Sequence, residues 1–555
     1  MNGLAESETM HDVLILGGGL AGLTLSMQLK QAMPGLDVRV VERRSHPAPA
    51  AAHKIGESSV EIGAHYFSQT LGLKEHLDEA HLRKFGFRFF FSEGETDLSQ
   101  VTELGASRFL STPSWQIDRG IFENFLSEEA QRRGVRVEHR AAVRQIDLDR
   151  DAGHTVVIEH LGVGEGAGRK ETVRARWVVD AAGRASILKR KLNLAEDNAH
   201  DVNAVWFRLD TRLELDAWVD DPVWRARCTP QARWQSTNHL CGSGYWLWLI
   251  PLGSGAHSVG IVADAKQHPL AGMNTFERAM AWIAEHQPCL AEVIRKVLER
   301  QPDALMDFAF FKNFSYGCRQ VFSPERWALT GDAGLFLDPF YSPGSDFIAI
   351  SNTYITELIR HDQAGEPLRL PSLFYGEVYQ SLYQSTLDLY TDQYRLFGSA
   401  RVMPLKVLWD YTYYWGVLCQ LFFQGRLTDR AMFAALNVPL NRARQLNTAM
   451  QTFMRNWGDL TAASLGAVPS RADNPAQMLD QASLPWFAEL NRSLGDAKLD
   501  DAAFAERLQR NVVQLEQLAG EIVGLALRGM PALAMQAPAD LVPSAADEML
   551  FAPAV

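Results

Sequence analysis

The chain has 555 residues, of which 47% are apolar and 22% are charged, and its formal net charge is −12. This length predicts a large core and more than one lobe. The acidic balance excludes nucleic acid as a partner, because no excess of basic residues is available to neutralise phosphates.

The cysteine spacing, the N-terminal residues and the length of the apolar runs together predict a cytoplasmic protein. The five cysteines form no CxxC pair and no metal-type spacing, which predicts reduced, mostly buried thiols. The N-terminal residues carry no secretory signal, and no apolar run reaches the roughly 18 residues of a transmembrane helix. The nearest approach, Leu408 to Phe423, contains Asp410 and many aromatic residues. It favours the core of a helical lobe; a substrate tunnel or a membrane-surface contact is the alternative.

The N-terminal residues carry the pattern of a nucleotide-binding unit. The apolar run Asp12 to Leu16 predicts a buried parallel strand and is followed by glycines. A helix is predicted from Leu20 to Ala32, and a second strand from Val38 to Val41 ends at Glu42. Strand, glycine turn, helix, strand and acid together predict a Rossmann βαβ unit.

The middle of the chain alternates between strands and one helix. Residues 53 to 115 leave the βαβ pattern and include an aromatic strand, Phe85 to Phe91. A helix is predicted at Gln116 to Arg132, and strands at Val135 to Arg140, Val143 to Asp149, His154 to His160, Trp177 to Ala181, Ala204 to Leu209 and Ser258 to Val262.

The last third of the chain is predicted to be helical. A helix is expected from Asp346 to Arg360, a linker from His361 to Leu370, and a helical segment from Leu373 to Phe397. Further helices are predicted to about Arg528, and the Ala- and Pro-rich residues 529–555 are expected to form a flexible tail.

The glycine run after the first strand predicts a pyrophosphate site. Gly17, Gly19 and Gly22 satisfy GxGxxG, and small residues there let the backbone approach a pyrophosphate at the start of a helix. Leu20 and Ala21 begin that helix and belong to the predicted site. Glu42 is placed to accept hydrogen bonds from the adenosine ribose, with Arg43 beside it.

A second glycine cluster predicts no nucleotide site. Gly162, Gly164, Gly166 and Gly168 lie between two predicted strands with no helix following, which indicates a flexible hairpin loop. No second dinucleotide fingerprint therefore remains for NAD(P)H. Reducing equivalents are expected to come from a separate NAD(P)H-dependent flavin reductase.

Three further segments resemble those of the glutathione-reductase-like FAD folds. Gly331-Asp332-Ala333 follows an apolar strand, Trp327 to Thr330, and the resemblance implies that Asp332 contacts the ribityl chain. Gln116 to Arg119 resembles a QxxR segment whose arginine lies against FAD; an ordinary surface ion pair is the alternative for Arg119. Asp180 to Arg184 resembles the DG motif of aromatic hydroxylases, with Ala181 in place of glycine. Together these segments indicate FAD as the cofactor.

The WLWLIP motif, Trp246 to Pro251, stands between the two flavin signatures, an order that resembles the flavin-dependent halogenases. The segment His53 to Ser58 is similar to the GES/GEA segment of that family, which implies FAD contacts by Gly56, Glu57 and Ser58. Lys84 falls at about the distance where those enzymes carry their essential lysine. The segment Phe336 to Gly344 resembles their FxxPxxSxG loop beside the isoalloxazine. This loop adds Gly344 and Ser345 to the cofactor residues, and Pro339, Tyr341 and Ser342 to the substrate or tunnel residues.

The resemblance implies a reaction in two stages. Reduced FAD and oxygen give a flavin hydroperoxide, and a bound chloride or bromide attacks it to form hypohalous acid. A lysine then positions the acid by hydrogen bonding or carries the halogen as a haloamine. Lys84 suits this catalytic role, because burial among Phe85, Phe87 and Phe89 readily lowers the pKa of an ammonium. The alternative is a solvated lysine at a strand start, alongside Arg83.

Two residues depart from the family pattern. Tryptophan halogenases carry a glutamate before the serine of the loop, and Tyr341 stands there instead. This favours the phenol- and pyrrole-acting type, whose substrates are already electron-rich. Pro343 supplies no N–H to a halide, although Gly344 and Ser345 can still donate.

The tryptophans of WLWLIP have two interpretations. Trp246 and Trp248 are predicted to share one face of a strand. In the family they are held to keep substrate away from the flavin; packing of a half-buried strand explains them equally well.

The predicted fold is α/β, with a Rossmann-like FAD-binding domain, an inserted mixed β-sheet substrate domain and a helical C-terminal domain. The halogenase-like core spans residues 10–360, with FAD-binding parts at 10–52, 116–195 and 317–360 and substrate parts at 53–115 and 196–316. The helical domain spans 371–528. The leading hypothesis is a FADH2- and oxygen-dependent halogenase acting on a phenolic or pyrrole-like substrate, free or carrier-bound. The alternatives are an aromatic hydroxylase without halide use and a flavin reductase of a lipid-like substrate.

Overall fold

The computed structural model describes residues 5–49, 55–162, 168–465, 473–538, 541 and 550. The chain divides into two compact units. Unit 1 comprises Met1–His81, Ile117–Asn198 and Ser315–Tyr383, and unit 2 comprises Leu82–Gln116, Ala199–Phe314 and Gln384–Val555. Residues 55–81 thus fall in unit 1, and the described residues from Gln384 onward fall in unit 2; the predicted domain bounds stay a prediction.

The strands of the described residues are β1 Ala5–Leu16, β2 Val38–Val41, β3 Leu82–Arg83, β4 Phe87–Phe90, β5 Glu103–Gly105, β6 Trp115–Gln116, β7 Arg136–Glu138, β8 Ala141–Asp147, β9 His154–His160, β10 Lys170–Asp180, β11 Ala195–Glu196, β12 Val202–Leu209, β13 Thr237–Gly242, β14 Tyr245–Pro251, β15 His257–Asp264, β16 Leu305–Phe311, β17 Gly317–Cys318, β18 Trp327–Leu329 and β19 Met478–Asp480.

The α-helices are α1 Leu20–Ala32, α2 Glu61–His65, α3 Lys74–Ala80, α4 Arg119–Arg132, α5 Ile187–Lys191, α6 Pro222–Ala226, α7 Phe276–His286, α8 Pro288–Arg300, α9 Gly344–Gln363, α10 Arg369–Leu387, α11 Met403–Tyr413, α12 Gln420–Phe423, α13 Arg430–Ala435, α14 Asn437–Leu465, α15 Pro485–Arg492 and α16 Asp501–Gly529. Two π-helical segments, Tyr66–Thr70 and Tyr414–Cys419, continue α2 and α11.

Unit 1 is built on a seven-stranded sheet with the order β7-β2-β1-β10-β9-β8, in which β18 also pairs with β10. Strands β1 and β2 are parallel, and α1 connects them, which confirms the predicted βαβ unit. The bounds of α1, β2 and β9 agree with the predictions, because glycine, proline and the period of apolar residues mark those ends clearly.

The described ends of the second glycine cluster, Gly162 and Gly168, lie between two antiparallel strands, as the hairpin prediction requires. Strand β9 pairs antiparallel with β10, and Gly168 takes a positive φ of 75° at the start of the returning strand. Gly162 is also described, whereas Gly164 and Gly166 lie outside the described residues.

Three predicted helices have different bounds in the structure. The helix predicted from Gln116 begins at Arg119, because Trp115–Gln116 is a strand and Asp118 caps the helix at the Ile121 N–H. The helix predicted to end at Arg360 continues to Gln363, which shortens the linker. The helical segment predicted to Phe397 ends at Leu387, and Asp392 takes a positive φ of 58° in the turn that follows.

Unit 2 contains an eight-stranded sheet with the order β16-β12-β15-β14-β13-β4-β5-β19. One face packs on α7 and α8 and forms an apolar core that includes Leu247, Leu249, Ile261 and Ile283. The other face carries a row of residues in register across five strands: Phe89, His239, Trp248, Gly260 and Trp206. Successive side chains of a strand point to opposite faces of the sheet, so the residues of this row alternate along each strand with residues of the opposite face.

A buried ion cluster lies on the core side of β4 and β5. The side chains of Arg88, Glu103 and Arg233 have no exposed area, and Glu103 pairs with both arginines. Asp216 pairs with Arg233 at 2.8 Å, and the Arg233 guanidinium lies 3.7 Å from the ring centroid of Trp224. Although burial opposes the charged form of Arg233, Glu103 and Asp216 raise its pKa.

The aromatic stripe from Leu408 to Phe423 forms part of a helical core, as predicted. Trp409 and Trp415 are buried, and the buried Asp410 is tolerated because Lys406 pairs with it at 2.7 Å one turn earlier. No helix of the described residues combines the length and the hydropathy that a bilayer crossing requires. All five cysteines are free and buried, as the spacing predicted.

Candidate active site

Three glycines in the turn between β1 and α1 have different surroundings. A Cβ on Gly22 would lie 2.0 Å from the Gly17 carbonyl oxygen, and Gly17 itself takes a φ of +117° against Ala181. A Cβ on Gly19, in contrast, would meet no heavy atom within 4 Å. Two of the glycines therefore allow close packing, and the third leaves open space in front of the helix.

The start of α1 is available to an anion. Among the described residues no side chain caps this helix at Gly19, so the first N–H groups, beginning at Leu20 and Ala21, keep their donor capacity. Glu42 lies beside this turn, and its carboxylate accepts from the Gly18 N–H at 2.7 Å and from the Arg44 N–H at 2.7 Å. Arg43 is exposed. Its contact with the cofactor stays a prediction, as does the ribose contact of Glu42.

The GES segment and Arg119 lie together. The Arg119 guanidinium donates to the Ile55 carbonyl at 2.7 Å, and a Cβ on Gly56, whose φ is +88°, would lie 2.7 Å from its Nη1 atom. The Ile117 N–H donates to the Glu57 carbonyl at 2.5 Å, which ties the two segments by their backbones. Glu57 and Ser58 are buried, and His53 and Lys54 lie outside the described residues.

Arg119 also forms an ion pair, which was the alternative role expected for this residue. Its guanidinium pairs with Glu123 at 2.5 Å, and the two side chains are 15% and 5% exposed. The pair is thus partly buried and leaves one side of the guanidinium to the Gly56 backbone. Arg119 also lowers the pKa of Asp332, against a larger rise that burial of this carboxyl causes. The QxxR and GDA segments are therefore electrostatically coupled.

The GDA turn packs between α1 and α9. Gly331 takes a φ of +59°, and a Cβ there would lie 3.0 Å from the Cβ of Ala21. Asn352 on α9 donates to the Ala21 carbonyl at 3.2 Å and accepts from Thr330 at 2.7 Å. Helix α9 thereby fixes the first glycine turn and the second flavin signature relative to each other.

The FxxPxxSxG loop leads directly into α9. Pro339–Tyr341 form a 3-10 turn whose Phe340 N–H donates to Asp338, and Ser342 takes a left-handed φ of 52°. Pro343 is buried and occupies the N-cap position of α9, and no side chain of the described residues caps that end. Gly344 is exposed, and the buried Ser345 Oγ has no hydrogen-bond partner among the described residues.

Lys84 lies in unit 2 and is a buried residue. It follows β3 directly, and its backbone N–H donates to the Ser114 carbonyl at 2.8 Å. Its side chain is almost fully buried, at 4% exposure, and Nζ lies 3.4 Å from the ring centroid of Phe87. The solvated-lysine interpretation is therefore wrong for Lys84, whereas the neighbouring Arg83 is exposed.

The two tryptophans of WLWLIP are fixed in place. Their ring centroids lie 5.8 Å apart, which confirms that they share one face of β14. Trp246 donates from Nε1 to the Tyr394 hydroxyl at 2.9 Å, and Trp248 donates to Ser258 at 3.1 Å. A Cβ on Gly260 would lie 2.1 Å from the Trp248 ring, so this glycine makes room for the indole. Both tryptophans have a packing role; the screening role stays a prediction.

Comparisons with known proteins indicate the same cofactor. Residues 10–255 match the model of a family described as an FAD binding domain. The flavin-dependent halogenase chlA of Dictyostelium discoideum is 27% identical over 463 residues, which cover 77% of this chain and 74% of that protein. A 1H-pyrrole-2-carbonyl-[peptidyl-carrier protein] chlorinase of Pseudomonas fluorescens is 24% identical over 363 residues, covering 61% and 73%.

The chain is similar to the flavin-dependent halogenases along most of its length. It is an FAD-dependent oxidoreductase, and its fold is that of these enzymes. The halogenase PltM, solved with phloroglucinol and FAD, superposes with a TM-score of 0.62 at 17% identity, covering 92% of this chain and 96% of that one. At this identity the likeness shows the fold alone.

The flavin signatures of this chain fit FAD. Two helix starts, α1 and α9, lack side-chain caps among the described residues. The space in front of Gly19 is open, and the buried Ser345 Oγ has no partner in the described part of the chain. Open space at a glycine turn, uncapped helix ends and an unsatisfied hydroxyl are what a pyrophosphate and a polar ring edge would complete.

Sequence reasoning missed a set of residues around Asp332. The Tyr316 hydroxyl donates to the Asp332 carbonyl at 2.7 Å. The buried Lys189 donates to the Gly334 carbonyl at 2.9 Å, and its Nζ lies 3.8 Å from the Tyr316 ring centroid. Burial lowers the pKa of Lys189. The only sequence signal was the position of Lys189 shortly after the DAAGR segment, whose Asp180 accepts from Ala182 and Leu188 and has its pKa raised by burial to about 6.

Replacing Gly22 by alanine is expected to weaken FAD binding about tenfold. The new Cβ would collide with the Gly17 carbonyl, and overpacking of this kind costs about 1–3 kcal/mol, where about 1.4 kcal/mol is a factor of ten. Flavin fluorescence titration measures the change. Gly35→Ala is the matched control, since a Cβ there meets no heavy atom within 4 Å. Equal FAD affinity in Gly22→Ala and the control would remove this turn from the site.

Proposed function

We propose that the chain halogenates an electron-rich aromatic ring, phenolic or pyrrole-like, using chloride or bromide. The observation that carries the proposal is Lys84, which is buried and held over the Phe87 ring in a chain similar to the halogenases. Lysines are rarely buried, because their charge is costly to desolvate, so Lys84 is an unusual residue at this position. The pyrrole-2-carbonyl carrier-protein chlorinase among the relatives supports a ring of this class, free or carrier-bound.

The flavin signatures of unit 1 supply cofactor binding in this proposal. The N–H groups that begin α1 would bind the pyrophosphate, and Glu42 would accept hydrogen bonds from the adenosine ribose hydroxyls. Arg119 and Asp332 would help to hold the flavin, and the start of α9, with Gly344 and Ser345, would supply further N–H donors. When bound in its reduced form, FAD supplies with oxygen the oxidising equivalent that converts halide into hypohalous acid.

Lys84 supplies the second stage. The hypohalous acid reaches the Lys84 ammonium, which donates a hydrogen bond to its oxygen and makes the halogen a better electrophile. The aromatic ring attacks the halogen, the O–X bond breaks, and the oxygen leaves as water. Trp246 and Trp248 pack on the same sheet face as Phe89.

The loop before α9 bears on which substrates are favoured and on which N–H groups could bind the halide. Tyr341 offers no carboxylate, which favours rings that are electron-rich without assistance over indoles and amines. Pro343 offers no N–H, so the halide is assigned to the N–H groups of Gly344 and Ser345. Pro339 and Ser342 shape the turn that precedes them.

A second candidate, an aromatic hydroxylase without halide use, is favoured by one observation. Pro343 sits at the N-cap of α9, at the place where a halide would otherwise find a backbone donor. A separate NAD(P)H-dependent flavin reductase is proposed as the source of reduced FAD, because the chain carries one dinucleotide fingerprint in its sequence.

The test supplies reduced FAD, oxygen and bromide together with phenolic and pyrrole-2-carbonyl acceptors. The expected product carries bromine, recognised by its isotope doublet, and forms only when bromide is present. The same assay with chloride in place of bromide measures the halide preference. Hydroxylated product in equal yield with and without halide would reject halogenation and support the second candidate.

A further inference from the structure

The backbone around Lys84 holds its side chain against one aromatic ring. Gly86, with a φ of +77°, turns the chain between Lys84 and the start of β4 at Phe87. The Lys84 N–H donates to Ser114 at 2.8 Å, and the Phe85 N–H donates to Gln235 at 3.1 Å. These bonds fix both sides of the turn. As a result, Nζ lies 3.4 Å from the Phe87 ring centroid in a nearly buried position.

The Phe87 ring is itself held by neighbours of unit 2. Its centroid lies 5.3 Å from the His239 ring and 6.2 Å from the Tyr411 ring. Tyr411 is supported in turn by Trp415 at 4.7 Å. The ring is therefore packed by aromatic neighbours, and it presents a π-face to Nζ.

A π-face stabilises the ammonium and gives little to the neutral amine. A cation over an aromatic ring is attracted by the ring quadrupole, most strongly where water is excluded. Burial alone would favour the neutral amine of Lys84. Phe87 opposes this preference for the neutral amine. The protonation state of Lys84 decides whether it donates a hydrogen bond or acts as a nucleophile.

We propose that Phe87 is a positioning residue that keeps Lys84 as an ammonium, so that Lys84 donates a hydrogen bond and does not carry the halogen as a haloamine. This inference rests on the proposed function and specifies how the same site acts. A haloamine forms only from the neutral amine, because its nitrogen lone pair must attack the halogen of HOX, giving R–NHX and water.

The ammonium route balances without a covalent lysine adduct. The aromatic carbon forms the C–X bond as the O–X bond breaks, and the electron pair of that bond stays on oxygen. The oxygen takes a proton from the Lys84 ammonium and leaves as water. The ring then loses its proton, and the amine of Lys84 is reprotonated, so that the net change is ArH plus HOX giving ArX plus water.

The experiment measures the ionisation of Lys84 directly in the FAD-loaded protein. Competitive acetylation at a series of pH values, read by peptide mass spectrometry, gives the midpoint at which Lys84 becomes a neutral nucleophile. Phe87→Leu removes the ring, Phe87→Tyr retains it, and Phe89→Leu is the control on the same face of β4, where Phe89 stacks on His239 at 4.7 Å. FAD binding and circular dichroism show that each variant is folded, and Phe87→Met replaces Phe87→Leu if that variant fails to fold.

We expect the midpoint to fall by about 1 pH unit in Phe87→Leu, an approximately tenfold change in the ratio of ammonium to amine. Phe87→Tyr and Phe89→Leu are expected to keep the wild-type midpoint. Halogenation requires the ammonium, so its decline with rising pH is expected to begin about 1 pH unit lower in Phe87→Leu. An unchanged midpoint in a folded Phe87→Leu or Phe87→Met protein overturns the inference.

Two further readouts separate this inference from the function on which it rests. Hypohalous acid released in the absence of an aromatic acceptor is measured with a trapping reagent and is expected to be equal in all variants. If the wild type produces none, the proposed function fails, whereas the acetylation midpoints still decide the role of Phe87. A halogen adduct on Lys84 that is chased into product during wild-type turnover overturns the ammonium route alone.

Discussion

Lys84→Ala is expected to lower halogenation by about 10²–10⁴-fold, the range that a positioned proton donor contributes. The side chain that would activate hypohalous acid is lost from a buried position over Phe87, and water cannot replace it as an oriented donor. Binding of FAD is expected to be unchanged, because the flavin signatures belong to unit 1 and Lys84 to unit 2. Product formation by mass spectrometry, alongside hydrogen peroxide release, measures both effects.

The exposed neighbour of Lys84 provides the control. Arg83→Ala removes a cation one residue away, from a side chain that is exposed and lies 4.9 Å over the Phe109 ring. Its halogenation is expected to remain within about twofold of wild type, as for a surface substitution away from the chemistry. Full halogenation by Lys84→Ala would reject the catalytic assignment of this lysine and leave the assignment of FAD unaffected.

Glu103→Gln is expected to have the largest effect on stability, a loss of about 3–5 kcal/mol. Glu103 is the shared partner of the fully buried Arg88 and Arg233, and the neutral amide compensates neither charge. Its NH2 group would also face guanidinium donors, so hydrogen bonds are lost together with the ion pairs. Urea unfolding followed by tryptophan fluorescence reports the transition of unit 2, where Trp206, Trp224 and Trp246 are buried.

A surface ion pair of the same unit is the matched control. Glu489 pairs with Arg492, and their side chains are 60% and 54% exposed. Glu489→Gln is expected to leave the urea midpoint unchanged, because solvent screens an exposed pair. Equal urea midpoints for Glu103→Gln and Glu489→Gln would show that the buried cluster contributes no more than a surface pair.

Local sequence signals predicted much of unit 1. The glycine turn, α1 and β2 could be located because each end is marked by glycine, proline or a break in the apolar period. The GES segment and Arg119 were assigned to the same cofactor from their resemblance alone, and the structure brings them together through the Glu57 and Ile117 backbones. Their individual roles at the flavin remain predictions.

Long-range pairings in unit 2 could not be predicted in this way. Strand β19 joins the sheet beside β5, which lies more than 370 residues earlier in the chain. A strand of three residues has too short a pattern for its pairing to be predicted from the sequence. The pairing of Glu103 with Arg233 and the contact of Phe87 with Tyr411 depend on the same kind of chain crossing. Local propensity contains no information about such partners.

The WLWLIP motif illustrates the difference between a family marker and a mechanism. Both indole N–H groups are bonded to protein hydroxyls, and Gly260 provides the space for Trp248. These contacts explain the residue types by packing on one sheet face. The chemistry of the proposal depends instead on Lys84 and on the N–H groups after Pro343.

A single turnover in ¹⁸O2 with reduced FAD, bromide and a phenolic acceptor tests the central claim most directly. Halogenation delivers the oxygen atom to water, so the account predicts a product with the bromine isotope doublet and no ¹⁸O. A hydroxylated product that contains ¹⁸O, with no bromine and in the same yield when bromide is omitted, would contradict it.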